Sequence, residues 1–309
     1  MATINDIAKK TGLSVGTISR YLNGEKIKEK NRKLIDSAVK ELKYRKNVLA
    51  RSMKTGKSMT VAVIIPELSN MFSMRVIESI EKAAGQKNYS VLISGCGRET
   101  KQMYKRIELM QQRMVDGFVL MPTEDCRAAE VKKITGDVPV VVIDRYLDEK
   151  IFDSVTIDNM RIVYEKISEI IRRGIRKIGF IEGPQKISTA CQRKQGYEKA
   201  MSEAGIPIKY SVSCKTYSME EGMRAMEELK RYNLEAVFAS NYELTMGALL
   251  VNQNPDLKII GVDKVELADK LENIYEYVPQ PIESIGKHAA EILIKRMEGD
   301  SGDIVDFVI

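Results

Sequence analysis

The sequence is poor in the residues on which much protein chemistry depends. It has no tryptophan, and its one histidine, His288, leaves little room for histidine-based catalysis or for a metal site with several histidines. His288 also falls within the apolar periodicity of a terminal helix, which favours a structural role. The four cysteines stand far apart without a C-x-x-C pair, so we expect reduced core thiols rather than a zinc or redox motif. We therefore predict no catalytic residue, no metal and no cofactor.

Long apolar runs are also missing. The longest are of the kind seen in Val61–Ile65 and Val140–Ile143, far below the roughly 20 residues that a membrane-spanning helix needs. The first residues, MATINDIAKKTG, are polar and periodic instead of forming an apolar signal core. The expectation is a cytoplasmic protein without a membrane partner.

Charge is distributed unevenly along the 309 residues. The formal net charge is +6, yet residues 1–60 hold 15 basic and 5 acidic side chains, and the remaining 249 residues have a net charge of −4. A basic segment joined to a faintly acidic body indicates a polyanionic partner for that segment. If the polyanion is DNA, the protein is expected at the nucleoid. The length suits two or three domains.

The basic segment has the spacing of a helix-turn-helix. Thr3 and Asp6 resemble a capping box, Gly12 breaks the first helix, and Ser14 can cap a second helix over about Val15–Leu22. A third apolar-periodic helix follows. Because the N-terminal end of such a second helix reaches base edges in the major groove, the candidate base contacts are Val15, Gly16, Thr17 and Arg20. A small three-helix protein-interaction module with basic surface residues is the alternative.

Three motifs carry a family resemblance. Thr3-Ile-x-Asp-Ile-Ala8, Gly12-Leu-Ser14-x-x-Thr17-Ile-Ser-Arg-x-Leu-Asn23-Gly24 and Asn47-x-x-Ala50-Arg-Ser-Met53 resemble the lactose/galactose-repressor (LacI/GalR) family, collinearly over essentially the whole chain. The resemblance implies an N-terminal all-α helix-turn-helix head, an α/β two-lobe core similar to periplasmic binding proteins, and a homodimer on a palindromic operator. The DNA contacts it implies are Thr3, Ser14, Val15, Gly16, Thr17, Ser19, Arg20, Asn23, Asn47, Ala50, Arg51 and Met53.

The segment after the head has no acidic residue between Glu41 and Glu67. Within it, Asn47–Met53 can form about two turns of helix, which are marginal in isolation. The resemblance implies that this is a hinge helix, paired across the dimer in the minor groove. Met53 there replaces the usual wedging leucine, a substitution that keeps an apolar but more flexible wedge. A solvated interdomain linker is the alternative.

From residue 60 onward, apolar strands alternate with amphipathic helices. This alternation predicts β-α-β units and hence two lobes, each a doubly wound parallel sheet. The predicted boundaries are 1–46 for the head, 47–59 for the hinge and linker, and 60–309 for the core, with a first lobe of about 60–158 and 282–297 and a second lobe of about 159–281 together with the C-terminal end.

Two such lobes form a cleft at the carboxyl ends of their strands, where ligands bind. Taken singly, each polar residue that follows a strand is better explained as a helix cap or a surface salt-bridge partner than as a ligand contact. Together they suit a small polar metabolite, with a sugar or sugar derivative as the default. The resemblance places Arg193 and Asp263 at the family's effector-binding arginine and aspartate, and Phe72 where the family closes the cleft. The candidate effector-binding residues are Asn70, Phe72, Asp144, Arg145, Asp158, Thr189, Arg193, Asn241 and Asp263.

The chain also departs from the family pattern. Tyr242 stands where an acid commonly follows Asn241, and no leucine heptads follow the core, so a tetramer built by a C-terminal helix is not expected. We predict a DNA-binding transcriptional regulator, most simply a repressor, whose operator affinity responds allosterically to the cleft ligand. The alternatives are a solute-binding protein, which the basic head opposes, and a sugar-modifying enzyme on the same two-lobe scaffold.

Overall fold

The computed structural model of the chain describes residues 2–22, 24–44, 56–265, 270–271 and 274–309. Contacts within the chain divide it between Ser58 and Met59 into a head and a core. The predicted start of the core at residue 60 lies within one residue of this division.

The head consists of three helices, α1 (Ile4–Thr11), α2 (Val15–Leu22) and α3 (Glu29–Glu41). The predicted capping box is present, since the Thr3 amide donates to the Asp6 carboxylate at 2.8 Å and the Asp6 amide donates to the Thr3 hydroxyl at 3.4 Å. The side chains of Ile7, Ile18 and Ile35, one from each helix, are fully buried and form the core of the head. The helix-turn-helix prediction is confirmed.

The first lobe of the core is a parallel sheet with helices on both faces. Its strands run in the order β11-β5-β4-β3-β1-β2. Strands such as Val140–Ile143 are buried along their whole length, as expected for a parallel sheet covered on both faces. The elements are β1 (Thr60–Ile65), α4 (Met71–Gln86), β2 (Ser90–Gly95), α5 (Thr100–Gln112), β3 (Gly117–Leu120), α6 (Ala128–Thr135), β4 (Val140–Ile143), β5 (Asp153–Thr156), α11 (Ile282–Met297) and β11 (Asp306–Val308).

The second lobe repeats this design with the strand order β10-β9-β8-β6-β7, again all parallel. Two apolar clusters cover the two faces of the sheet, one of them centred on the stacked rings of Phe180, Tyr197 and Phe238. The elements are α7 (Asn159–Arg172), β6 (Ile178–Glu182), α8 (Ser188–Glu203), β7 (Ser211–Ser213), α9 (Met219–Leu229), β8 (Ala236–Ala239), α10 (Tyr242–Val251), β9 (Lys258–Val262) and β10 (Tyr275–Val278). The two-lobe α/β prediction is confirmed.

The assignment of the C-terminal end to the second lobe is wrong. Strand β11 pairs in parallel with β5 and so forms an edge of the first lobe's sheet. The guanidinium of Arg296 holds it there by binding both oxygens of Asp153 at 2.8 Å each and the carbonyl oxygen of Gly302 at 2.8 Å. His288 stacks on Phe307 of this strand with 4.4 Å between ring centroids, in keeping with its expected structural role.

Over the described part of the chain, none of the helices is both long and apolar enough to pass through a lipid bilayer.

Two glycines let helices α9 and α10 approach closely. A Cβ atom at Gly247 would lie 2.1 Å from the carbonyl oxygen of Met219, and one at Gly222 would lie 2.5 Å from that of Leu244. Both contacts are with backbone atoms, which cannot move aside as a flexible side chain can. This close approach fixes the N-terminal end of α10, which borders the cleft described below.

We expect Gly247→Ala to lower the free energy of unfolding of the core by roughly 1–3 kcal/mol, because the added methyl group forces α9 and α10 apart. Urea denaturation followed by circular dichroism measures the change. The matched control is Gly85→Ala in α4, where a Cβ meets nothing within 4 Å. That variant should be stabilised by up to about 1 kcal/mol through helix propensity. Equal effects at the two glycines would contradict the steric argument.

Candidate functional site

The N-terminal end of α2 presents the residues that were predicted to contact bases. Val15 is 41% exposed, and Gly16 and Arg20 are also exposed, whereas Thr17 and Ser19 are half-buried. Ser14 caps the helix as expected, with its hydroxyl oxygen accepting from the Thr17 amide at 3.2 Å. Within the described residues, no acidic side chain forms a salt bridge with Arg20, so its guanidinium can reach a partner outside the head.

Five of the predicted DNA contacts lie outside the described residues. They are Asn23 and the four hinge residues Asn47, Ala50, Arg51 and Met53. Thr3 lies within the described residues, and its hydroxyl donates to the Asp6 carboxylate at 2.8 Å, so it also secures the first turn of α1.

A cleft of about 750 Å³, part of it open to solvent, lies between the carboxyl ends of the two sheets. Side chains from both lobes line it. The structure brings together eight of the nine predicted effector-binding residues here: Asn70, Phe72, Asp144, Arg145, Thr189, Arg193, Asn241 and Asp263.

Asp158 is the ninth, and it does not line this cleft. Its carboxylate accepts from the Arg161 amide at 2.9 Å and so caps the N-terminus of α7. The helix-cap explanation, which was the alternative for each candidate, is the one that the structure supports for Asp158. The neighbouring Asn159 is buried instead and contacts the residues beneath the cleft.

A buried arginine organises the floor of the cleft on the side of the second lobe. The guanidinium of Arg193 donates to the Asn159 side-chain oxygen at 2.8 Å, to the Ser240 carbonyl at 2.7 Å and to the Gln280 side-chain oxygen at 3.2 Å. Gln280 in turn donates to the Asp263 carboxylate at 2.6 Å. The charge of Arg193 is thereby linked to that of Asp263 through one amide.

Two aspartates occupy corresponding places in the two lobes. Asp144 follows β4 and Asp263 follows β9, and both have a left-handed backbone, with φ of 69° and 70°. Such a conformation is unfavourable for residues other than glycine and is concentrated at functional sites. Asp144 pairs with Arg145 at 3.0 Å, whereas burial raises the pKa of Asp263 to about 6.

Sequence reasoning missed several residues of the cleft. Glu67 and Arg98 lie on the side of the first lobe, where they form a salt bridge of 2.6 Å. Tyr217, Glu243 and Gln280 lie on the side of the second lobe. A signal existed for Glu243, because the acid absent from position 242 is present one residue later, on the first turn of α10.

Tyr217 leaves one hydrogen-bonding group unused. Its hydroxyl oxygen is buried without a hydrogen-bond partner among the described residues, and burial raises its pKa. Tyr217 lines the same cleft as Arg193 and Arg145, and their charges act against this rise. A ligand with polar groups can satisfy this hydroxyl, which otherwise carries the cost of an unmade hydrogen bond.

The cleft therefore offers carboxylates, guanidinium groups, amides and a phenol to one small volume, and this set suits a polar molecule rich in donors and acceptors. Within the described part of the chain, no group of three or more His, Cys, Asp or Glu side chains is arranged to hold a metal ion.

The head and the core of the chain each match a known protein family. Residues 3–47 match the family described as bacterial regulatory proteins of the lacI family, and residues 58–296 match the periplasmic binding proteins and sugar binding domain of the LacI family. The chain belongs to the LacI family. It is accordingly a DNA-binding transcriptional regulator, and members of the family bind operator DNA as dimers and respond to small-molecule effectors.

Individual relatives in the family are regulators rather than enzymes. The regulator RegA of Clostridium saccharobutylicum is 30% identical over 324 residues, covering 100% of this chain and 97% of the relative. The repressor CytR of Escherichia coli is 28% identical, covering 96% of this chain and 90% of the relative. In fold, the chain is similar to the lac repressor dimer bound to operator and the anti-inducer ONPF, with a TM-score of 0.86, 18% identity and coverage of 99% and 96%.

Because the pKa of Asp263 is about 6 in the folded protein and about 4 when unfolded, the folded core holds more protons between these values. The contribution of Asp263 to the free energy of unfolding therefore falls as the pH rises from about 4 to about 6, by roughly 3 kcal/mol at most. Asp263→Asn should remove this component. Urea denaturation of both proteins from pH 4 to pH 7 measures it as the difference between the two curves.

The difference between the two curves cancels the contributions of the other carboxylates to the free energy of unfolding. Among them are those with lowered pKa, such as Glu276, whose contribution has the opposite sign. A difference between wild type and variant that is independent of pH would show that the pKa of Asp263 is the same in the folded and the unfolded protein.

Proposed function

We propose that the chain represses transcription as a homodimer on a palindromic operator, and that a small polar metabolite in the cleft sets its operator affinity. The observation that carries the proposal is the gathering of eight predicted binding residues in one cleft, on a chain whose head presents a helix-turn-helix with an exposed Arg20. The head is assigned to residues 1–46, the hinge to 47–59 and the effector-binding core to 60–309.

The DNA contacts are assigned to α2 and the hinge. Arg20 suits guanine, whose O6 and N7 accept two hydrogen bonds from one guanidinium, and Val15 suits a thymine methyl group. Asn47, Ala50, Arg51 and Met53 are assigned to the minor groove, with Met53 as the apolar wedge.

The effector is assigned to the class of sugars and sugar derivatives. Carboxylates such as Asp144 and Asp263 accept hydrogen bonds from ring hydroxyls, and Arg193 and Arg145 donate to ring and hydroxyl oxygens. The description of the matching core family as a sugar binding domain supports the same class. The residues that we assign to effector binding are Asn70, Phe72, Asp144, Arg145, Thr189, Arg193, Asn241 and Asp263, and we add Tyr217 because it lines the same cleft.

The mechanism follows from the two lobes. An effector that contacts both lobes favours the closed core, and it can shift operator binding only by as much as its affinity differs between the two states. We infer that the protein binds its ligand without turnover and that it acts at the nucleoid in the cytoplasm. A solute-binding protein of this fold has no use for the basic head, and incubation with candidate sugars would reveal a sugar-modifying enzyme by product formation.

Arg20→Ala should weaken binding to the operator by about 10-fold or more while leaving binding to random DNA nearly unchanged. The reason is that a bidentate arginine–guanine contact discriminates by roughly 1–3 kcal/mol, whereas loss of a phosphate contact weakens all sequences alike. Fluorescence anisotropy with an operator selected from a random library, at fixed salt, measures both affinities. An unchanged ratio of the two would remove Arg20 from the base-reading set.

A thermal-shift screen of metabolites tests the cleft. A ligand at 100 times its dissociation constant should stabilise the core by roughly 2.7 kcal/mol. The same ligand should have no effect on Arg193→Met, which removes the central guanidinium of the floor. A ligand that stabilises both proteins equally binds elsewhere.

A further inference from the structure

Two asparagines, one from each lobe, donate to the same carboxylate. The side-chain nitrogen of Asn70, which precedes α4 in the first lobe, donates to Oε1 of Glu243 at 2.8 Å. The side-chain nitrogen of Asn241, in the second lobe, donates to Oε2 of Glu243. Glu243 itself belongs to α10 of the second lobe. The bond from Asn70 therefore joins the two lobes directly across the cleft.

The orientation of both asparagine amides is fixed by helix capping. The side-chain oxygen of Asn70 accepts from the amide and the hydroxyl of Ser73, each at 2.9 Å, at the start of α4. That of Asn241 accepts from the Leu244 amide at 2.9 Å at the start of α10. Since the oxygen of each amide is committed to its own helix, the nitrogen must point the other way, toward Glu243.

The carboxylate between them accepts from both donors, one at each oxygen. Burial raises the pKa of Glu243, and among the described residues no basic side chain forms a salt bridge with it. Arg98 is nearby, but its guanidinium is paired with Glu67 and also donates to the Tyr217 carbonyl at 3.1 Å. Hydrogen bonds to a carboxylate are stronger than neutral ones, so the two amides favour the arrangement in which both reach the half-buried Glu243.

We propose that Asn70, Asn241 and Glu243 form a clasp that holds the two lobes closed and sets the fraction of closed core that an effector meets. Glu243 is the acceptor that both asparagines share, and it positions their side chains across the cleft. The contact from Arg98 to Tyr217 crosses the cleft in parallel with it. The link from the clasp to operator binding rests on the proposed function, whereas the link to lobe closure does not.

A donor–acceptor swap tests the clasp. Asn70→Asp keeps an oxygen for capping Ser73 but turns a second carboxylate oxygen toward Glu243, and Glu243→Gln turns a donor toward one of the asparagines. Each single variant breaks the pattern. In the double variant, the new glutamine amide can donate to the new aspartate while its oxygen accepts from Asn241, and the net charge equals that of the wild type.

Hydrogen–deuterium exchange of the full chain, without effector, measures how strongly closure protects the two cleft rims, which the contact from Arg98 to the Tyr217 carbonyl joins. The amides to follow are those of Cys96 and Arg98 on one rim of the cleft and Cys214 on the other, all hydrogen-bonded in the closed core. Each single variant should exchange about 10-fold faster there or more, the factor for one lost hydrogen bond to a charged group. The double variant should return to within about 3-fold of the wild type.

The matched control is Asp158→Asn, an exchange of the same two side chains at the cap of α7, outside the cleft. It should leave exchange at both rims unchanged. Single variants with wild-type rim exchange, or a double variant that exchanges as fast as either single, would overturn the clasp. So would a double variant no more stable to heat than the less stable single.

Operator affinity gives the second readout. Both single variants should shift it in the same direction, by roughly 5-fold or more, and the double variant should restore it. Restored rim exchange without restored operator affinity would refute the coupling to DNA. A wild-type protein that binds no operator would instead reject the proposed function, and the exchange data would still decide the clasp.

Discussion

The buried guanidinium of Arg193 is the constraint on which the ligand-binding half of the core depends. From α8 it bonds to Asn159 at the start of α7, to the carbonyl of Ser240 after β8, and to Gln280 after β10. Three chain segments distant in sequence are thus held in fixed positions at the carboxyl end of one sheet. A buried charge is costly unless it is fully hydrogen-bonded, so the segments cannot move apart without exposing or orphaning that charge.

Helix caps provide the second layer of order around the cleft. Asn70 and Asn241 each cap the N-terminus of a helix with the side-chain oxygen. Each points its side-chain nitrogen into the cleft. A residue that satisfies the first turn of a helix is held rigidly, and this rigidity gives the cleft a defined pattern of donors. Gly222 and Gly247 serve the same end, since the close approach they allow fixes α10 and with it Glu243.

Much of the architecture could be predicted because it depends on local patterns. Thr3, Gly12 and Ser14 mark helix ends through side-chain and backbone preferences that act within a few residues. Runs such as Val140–Ile143 predict buried parallel strands by composition alone. Positions after strands, together with the family resemblance for Phe72, Arg193 and Asp263, predicted eight of the cleft residues, because parallel strands bring their carboxyl ends to one edge. Asp158 satisfied the same rule and yet serves as a helix cap, which a rule based on position cannot distinguish.

Residue types at short range were sufficient to predict the helix-turn-helix, the alternating order of strands and helices, and the separation of a basic head from a faintly acidic core. The place of β11 in the first lobe's sheet emerged from the folded chain alone, because strand partners 152 residues apart are selected by an ion pair such as Arg296–Asp153 and by the hydrogen bond from Ser154 to Asp306. The folded chain also brings Glu243 to meet Asn70, 173 residues away in sequence, across the cleft. Contacts between such distant residues depend on how whole lobes pack, which no local spacing encodes.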